Sequence, residues 1–287
     1  MTGATDADLL RTVTGRLAQA GVPSAYADGL ALVAHVWGRS PSDARRELLL
    51  GRRPDAQQLQ LLDELVDERV RRVPLQHLTG RAPFRHLELA VGPGVFIPRP
   101  ETELLVDLVL AVATEGGTVV DLCTGSGAIA LAIKHERPAL QVSAVELDEL
   151  AFAWAERNAQ TLGLEVNLSL GDATSAFLEL AGAVDVVVSN PPYIPVGMEP
   201  IDPEVRDHDP QVALYGGSAD GLRVPLAVAA HAADLLRDGG VLVMEHADSQ
   251  GDSLPAALRA DGRWQEVADE VDLTGRPRAV RAVRCDR

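Results

Sequence analysis

Four consecutive residues, Asn190-Pro191-Pro192-Tyr193, combine chemistry that an ordinary strand exit does not need. The two prolines fix the backbone and remove two N–H donors, which leaves carbonyls free to accept. The side-chain oxygen of Asn190 and the carbonyl of Pro191 can together accept both hydrogens of a planar –NH2 group, and Tyr193 offers a flat face to the same group. The acceptor this implies is a conjugated amine, either a side-chain amide or the exocyclic amine of a base.

A second constellation lies upstream. Asp121-Leu122-Cys123-Thr124-Gly125-Ser126-Gly127 follows an apolar run, and its glycines permit a tight turn and close approach of a ligand to the backbone before a helix presents free N–H groups. Glu146 stands 19 residues beyond Gly127 at the end of the next apolar run. A carboxylate there can accept both ribose hydroxyls of an adenosine, whether that belongs to NAD or to S-adenosylmethionine. Ala130 occupies the last position of the G-x-G-x-x-G pattern, where alanine is tolerated, so NAD is not excluded on this ground. Asp172, after Gly171, is suited either to accept from an adenine N6 amine or to cap a helix.

These residues need a scaffold. Residues 101–287 alternate between strand and helix patterns, with candidate strands at Thr118–Leu122, Gln141–Glu146, Val166–Leu170, Val184–Ser189, Val241–Glu245, Trp264–Ala268 and Ala279–Arg284. The early strands are continuous apolar runs, as expected of a parallel sheet covered by helices on both faces. Leu273 to Pro277 is too short for a crossover helix, so the last two strands should pair antiparallel. The chemistry-bearing residues all fall at strand ends.

The first 75 residues read as helices. Leu9, Leu10, Val13 and Leu17 share a face. Leu30, Val33, Ala34 and Trp37 share another, with Ser24 as N-cap and Gly38 as stop. Ser40-Pro41-Ser42-Asp43 opens a third helix, and Leu59, Leu62, Val66, Val70 and Val73 mark a longer one ended by Pro74. Between the two parts, Leu87, Leu89 and Val91 alternate with less apolar residues. Gly92-Pro93-Gly94 signals a turn, and Val95-Phe96-Ile97 reads as the returning strand of a hairpin. The expected division is a helical docking domain over 1–75, a β-hairpin linker over 76–100 and a catalytic domain over 101–287.

Composition narrows the partners. The 287 residues carry 42 acids against 26 bases, a formal charge of −16, which disfavours a nucleic-acid partner without a strong basic patch. Arg52, Arg53, Arg69, Arg71 and Arg72 are the candidates for such a patch, although a solvated helix face is the commoner reading. Two distant cysteines, Cys123 and Cys285, suggest neither a disulfide framework nor a zinc knuckle. No stretch approaches the roughly 18 consecutive apolar residues of a membrane span, and the N-terminus lacks a signal-peptide pattern. A cytoplasmic monomer is expected, with no membrane partner and no direct nucleic-acid contact.

The combination resembles the amino-methyltransferases that use S-adenosylmethionine on a seven-stranded, Rossmann-like class I sheet to methylate glutamine amides, adenine N6 or cytosine N4. Phe96-Ile97-Pro98-Arg99-Pro100-Glu101-Thr102-Glu103 and Pro74-Leu75-Gln76-His77-Leu78-Thr79-Gly80 are similar to signatures of the bacterial peptide chain release factor glutamine methyltransferases. So are Glu245-His246-Ala247-Asp248-Ser249-Gln250, with Ala247 where glycine is usual, and Asp272-Leu273-Thr274-Gly275-Arg276-Pro277-Arg278. The resemblance runs from about residue 74 onward.

It implies that Cys123, Thr124, Gly125, Ser126 and Gly127 cradle the methionine part of S-adenosylmethionine, that Glu146 binds its ribose, and that Asp172 lies beside the adenine, with Ala173 where relatives carry an aromatic. It implies that Asn190, Pro191, Pro192 and Tyr193 hold the glutamine of a Gly-Gly-Gln loop in a class I release factor, and that Arg99 and Glu101 lie near the pocket mouth. S-adenosylhomocysteine is the implied product, and no metal is required. Two other readings stay open: an adenine N6 methyltransferase acting on nucleic acid through the same loop, and a non-catalytic binding module.

Overall fold

The computed structural model describes residues 6–286. In chain order its elements are helices α1 (Asp6–Gln19), α2 (Ala25–Trp37), α3 (Pro41–Leu49), α4 (Ala56–Val70) and α5 (Leu75–Thr79); strands β1 (Arg81–Phe84) and β2 (Leu87–Ala90); then α6 (Glu103–Val112), β3 (Thr118–Leu122), α7 (Ala128–Glu136), β4 (Gln141–Glu146), α8 (Glu149–Leu162), β5 (Asn167–Leu170), β6 (Val184–Ser189), α9 (Pro203–His208), α10 (Arg223–Leu235), β7 (Leu236–Glu245), α11 (Ser253–Asp261), β8 (Trp264–Val271) and β9 (Pro277–Arg284).

Two compact units emerge, one of residues up to Arg81 together with Pro200–His208, the other of Ala82–Glu199 and Asp209 onward. In the helical unit, Leu17, Leu32, Val33 and Val66 form the centre of an apolar cluster. Ser40 caps α3, accepting the Asp43 N–H at 3.1 Å, and Asp55 with Gln58 forms a capping box on α4. Ser24 precedes α2 but makes no capping bond. Its hydroxyl donates to Asp28 instead. Gly38 stops α2 in the left-handed conformation, as its sequence position implies.

Three expectations are corrected. The helix through Leu59 ends at Val70, because Arg72 turns left-handed at φ 68°, and Leu59 is exposed rather than in the core. The arginines weighed as a basic patch, and more commonly as a solvated helix face, are largely paired with acids. Arg69 is buried against Asp28 and Glu204, both at 2.8 Å, Arg72 meets Glu204 at 2.6 Å, Arg71 pairs with Glu68 and Arg52 with Glu47. The hairpin lies one strand earlier than expected: β1 and β2 form the two-stranded sheet, and Val95–Ile97 forms no strand.

The second unit carries a seven-stranded sheet in the order β5-β4-β3-β6-β7-β9-β8. β3 to β7 run parallel, and β9 lies antiparallel between β7 and β8. The alternation of strand side chains builds a core on each face. Val187 of β6 packs with Val228, Ala232 and Leu235 of α10, while Val186 and Val188 pack with Leu105 and Val109 of α6 and Ile129 and Ile133 of α7. Strand order reverses between β3 and β6, so a crevice opens outside their carboxyl ends. There Leu122 is paired in register with Ser189, and the residues that follow each are Cys123 and Asn190. Among the described residues no helix is long and apolar enough to cross a membrane.

Candidate active site

The turn after β3 is shaped by backbone dihedrals. Cys123, Gly125 and Gly127 all have positive φ, at 69°, 59° and 84°. A side chain on Gly127 would bring its Cβ to 2.9 Å from Leu131 Cδ1, whereas nothing lies within 4 Å of the corresponding position on Gly125. Gly127 is thus required by helix packing, and Gly125 leaves the backbone open to a ligand. The Thr124 N–H donates to the Val145 carbonyl at 3.0 Å, and its hydroxyl donates to Asp121 at 2.6 Å. Asn158 holds the other side of the turn, donating to the Ser126 carbonyl at 2.9 Å. Asp121 is fully buried, and burial pushes its carboxyl up to about 7. Burial also raises the Cys123 thiol.

Glu146 ends β4 and reaches across to this turn. Its Oε2 accepts the Gly125 N–H at 2.7 Å, and its Oε1 accepts the Leu147 and Asp148 N–H groups at 2.8 and 2.9 Å. Burial raises its pKa, opposed by those three donors. Three bonds leave acceptor capacity on a carboxylate with about four lone-pair sites. The open backbone at Gly125 and an acceptor-only carboxylate beside it fit an adenosine-containing cofactor. Asp172 is exposed beyond β5 and forms a local Asx turn with Thr174, at 2.8 Å to its N–H and 2.7 Å to its hydroxyl. Those bonds lower its pKa. Ala173 beside it is buried.

The loop after β6 is held by side chains from elsewhere. Ser189, the last strand residue, donates to the Leu122 carbonyl at 2.5 Å and so joins the two strand ends. Asn190 Nδ2 lies 3.4 Å from Thr102 Oγ1, donating to it. Donation from Nδ2 orients the amide, and Oδ1 remains to accept from a ligand. Pro191 is buried, while Pro192 and Tyr193 are half-buried. The Tyr193 hydroxyl donates to Glu245 Oε1 at 3.1 Å, and the Tyr193 carbonyl accepts from Gln250 Nε2 at 3.0 Å. The next residue, Ile194, exchanges backbone bonds with Leu214 and Gly216. Glu245 is buried, and burial pushes its carboxyl up to about 7 against the lowering influence of Thr102 and of the bond from Tyr193.

Arg99 makes a 2.8 Å ion pair with the buried Asp209 and lies over the Phe96 ring. Burial lifts Asp209 to about 6 despite that partner. Glu101 is half-buried and contributes negative potential at Glu245, Tyr193 and Arg278. The residues anticipated from the sequence therefore gather in two places. Cys123 to Gly127 and Glu146 sit at the end of β3 and β4, and Asn190 to Tyr193 at the end of β6. Asp172 is tied up in its own turn, and Arg99 in its ion pair. Thr102, Asp209 and Gln250 were not singled out by role; Thr102 and Gln250 are signalled only by membership in the Phe96–Glu103 and Glu245–Gln250 segments, and Asp209 lies in neither.

The fold and site define a class I, Rossmann-like, S-adenosylmethionine-dependent methyltransferase. The methyltransferase small domain model matches residues 88–199, and the PrmC N-terminal domain model matches residues 8–80. A release factor glutamine methyltransferase of Streptomyces coelicolor is 49% identical over 274 residues, 94% of each chain. One of Mycolicibacterium smegmatis is 46% identical over 279 residues, 97% of each chain. A 4-amino-L-phenylalanine/4-methylamino-L-phenylalanine methyltransferase of Streptomyces pristinaespiralis is 39% identical over 271 residues, 91% of this chain and 90% of that one. The fold is also shared with a Thermus thermophilus 16S rRNA N2 G1207 methyltransferase solved with AdoMet and guanosine, at TM-score 0.51 and 23% identity over 71% of this chain and 49% of that one. The chain belongs to the family of release factor glutamine methyltransferases.

Proposed function

We propose that this chain transfers a methyl group from S-adenosylmethionine to the side-chain amide nitrogen, N5, of the glutamine in the Gly-Gly-Gln loop of class I peptide chain release factors. The observation that carries the reading is the register of β3 and β6, which sets the Gly125 turn and the Asn190 loop side by side at the sheet's switch point. S-adenosylmethionine, when bound, supplies a methyl group already activated on a sulfonium.

Cys123, Thr124, Gly125, Ser126 and Gly127 would line the methionine part, Glu146 would accept the ribose hydroxyls, and Asp172 would lie toward the adenine. Asn190 Oδ1 and the Pro191 carbonyl would accept the two amide N–H bonds of the glutamine, with Pro192 and Tyr193 walling its plane. An amide nitrogen is a weak nucleophile because its lone pair is delocalised. Alignment is therefore where the enzyme gains most, and well-oriented reactants gain roughly 7–11 kcal/mol. The two accepted N–H bonds also stabilise positive charge on nitrogen as the N–C bond forms and the C–S bond breaks. The surplus amide proton then leaves to water. Arg99 and Glu101 would border the entrance.

The chain would act as a cytoplasmic monomer without a metal, its helical unit docking the body of the release factor. The −16 charge argues against a nucleic-acid substrate. An arylamine is the alternative worth testing, because the Streptomyces pristinaespiralis relative is named for one and an aniline –NH2 is also conjugated. Mass spectrometry of a class I release factor after incubation with the protein and S-adenosylmethionine should show one added methyl on the Gly-Gly-Gln glutamine. 4-Amino-L-phenylalanine should remain unmodified in parallel. The reverse pattern would overturn the reading.

A further inference from the structure

The Glu245-His246-Ala247-Asp248-Ser249-Gln250 segment has no part in the scheme above, yet it contacts the acceptor loop twice. Tyr193 is held at both ends. Its hydroxyl donates to Glu245, the last residue of β7, and its carbonyl accepts from Gln250, five residues on. Gln250 is buried and fully used. Its second Nε2 hydrogen goes to the Asp220 carbonyl at 2.8 Å, and its Oε1 accepts the Ala247 N–H at 3.0 Å. The backbone beyond Asp220 passes so close that a Cβ on Gly221, at φ 74°, would stand 2.0 Å from the Tyr193 carbonyl oxygen. No side chain fits there.

Glu245 reaches the other end of the loop as well. Thr102, whose hydroxyl accepts from Asn190 Nδ2 at 3.4 Å, also lowers the Glu245 pKa, and Glu245 Oε2 is buried with no hydrogen-bond partner among the described residues. A hydroxyl that accepts from Asn190 Nδ2 leaves Oδ1 on the other side of the amide. That arrangement dictates which way the Asn190 amide faces. The segment itself is anchored by His246, fully buried, with Nδ1 2.8 Å from the Ala247 carbonyl and Nε2 2.9 Å from Asp269 Oδ1 on β8. A fully buried carboxyl and a fully buried amide are costly fillings for space that an apolar side chain could occupy. Their bonds converge on one tetrapeptide.

We infer that Glu245 and Gln250 are positioning residues for methyl transfer, a two-point clamp on Tyr193 that aims Asn190 Oδ1 and the Pro191 carbonyl at the acceptor nitrogen. The inference rests on the reading that Asn190 to Tyr193 holds that nitrogen. The clamp touches neither the Gly125 turn nor Glu146 through any bond described, so its loss should appear in turnover rather than in cofactor affinity.

The test compares Gln250→Met, Glu245→Leu, Glu245→Gln and Asn190→Ala in the full chain. Thermal melting checks folding, calorimetry measures S-adenosylmethionine binding, and kcat and KM are measured for a class I release factor. Gln250→Met and Glu245→Leu should lower kcat about 10- to 100-fold, the scale of a small misalignment of reacting groups, with cofactor Kd close to the parent's value. Glu245→Gln keeps an acceptor for Tyr193 and should recover most of the kcat lost in Glu245→Leu. Folded Gln250→Met with parental kcat, while Asn190→Ala is inactive, would overturn the clamp alone. Full activity of Asn190→Ala would overturn the reading of the loop and the clamp with it. A loss of cofactor binding equal to the loss of kcat would make the segment a general support and also overturn the proposal. Should Gln250→Met fail to fold, Tyr193→Phe reads the other point of the clamp, with a kcat loss again expected and unchanged kcat against it.

Discussion

The turn after β3 and the loop after β6 leave neighbouring strands of one sheet, yet they are held by different means. The first is fixed through its backbone groups: glycines at positive φ, the Gly125 N–H on Glu146 and the Ser126 carbonyl on Asn158. The second is fixed by the side chains of Thr102, Glu245 and Gln250, which stand 88, 52 and 57 residues away from their partners in the chain. The first turn offers backbone groups to Glu146 and Asn158, whereas the second arrangement also joins side chain to side chain, at Asn190 and at the Tyr193 hydroxyl. The two halves should therefore fail separately, cofactor affinity with one and alignment of the acceptor with the other.

Asn190→Ala gives the sharpest separation. It should lower single-turnover methylation by about 10²- to 10³-fold, as removal of one charge-stabilising group does elsewhere, while calorimetry still detects S-adenosylmethionine. Equal losses of both would break the comparison. Glu146→Ala should do the opposite. A hydrogen bond to a charged group is worth about 1.5–3 kcal/mol, so cofactor affinity should fall about 10- to 100-fold, with much of kcat restored at saturating cofactor.

A smaller effect should come from Asp121, behind the first turn. Its folded pKa, about 7, lies above its ordinary value of 3.8 because of burial. The folded state therefore holds a proton that the unfolded state has released between about pH 4 and pH 7, so this group destabilises the fold progressively as pH rises through that window. Asp121→Asn keeps an acceptor for Thr124 and should remove this slope. Its melting midpoint should gain on the parent by a few degrees from pH 4.5 to pH 8, and a constant difference across that range would contradict the assignment. The smallest effect belongs to Ser40→Ala. Loss of the α3 cap should cost about 1 kcal/mol in denaturant unfolding of the helical unit and leave cofactor affinity unchanged. A change in that affinity would show that the helical unit and the β3 turn are coupled.

The same contrast governs what the sequence disclosed. The central strands β3, β4 and β6 were legible because their side chains are buried on both faces, and the β3 turn was legible because its left-handed positions are mostly glycine. The Asn190–Tyr193 tetrapeptide was visible, but its supports were not, since nothing in a linear pattern joins Thr102 to Asn190 or Gln250 to Tyr193. The hairpin was misplaced for a related reason. Its actual turn contains Arg85 at φ 53°, a residue with no turn signature, held there by its N–H to Glu103 at 2.9 Å and its guanidinium on Glu136 and Asp107. Pro93 and Gly94 do form the expected turn, with Gly94 at φ 87°, but no strand returns from it, and Gly92 and Gly94 also serve close packing. Added Cβ atoms would stand 2.6 Å from Trp154 and 2.9 Å from Leu150.

Glu204 has a consequence of a different kind. The chain passes between the two units at residues 81–82, 199–200 and 208–209, and Glu204, held at a pKa of about 2 against the desolvation cost by its bonds with Arg72 and Arg69, pins the middle passage to the helical unit. The stretch from Tyr193 to Asp209 is thus two short spans rather than one long free loop. Much of its conformational entropy has been given up on folding, and correspondingly less remains to be lost in any later ordering.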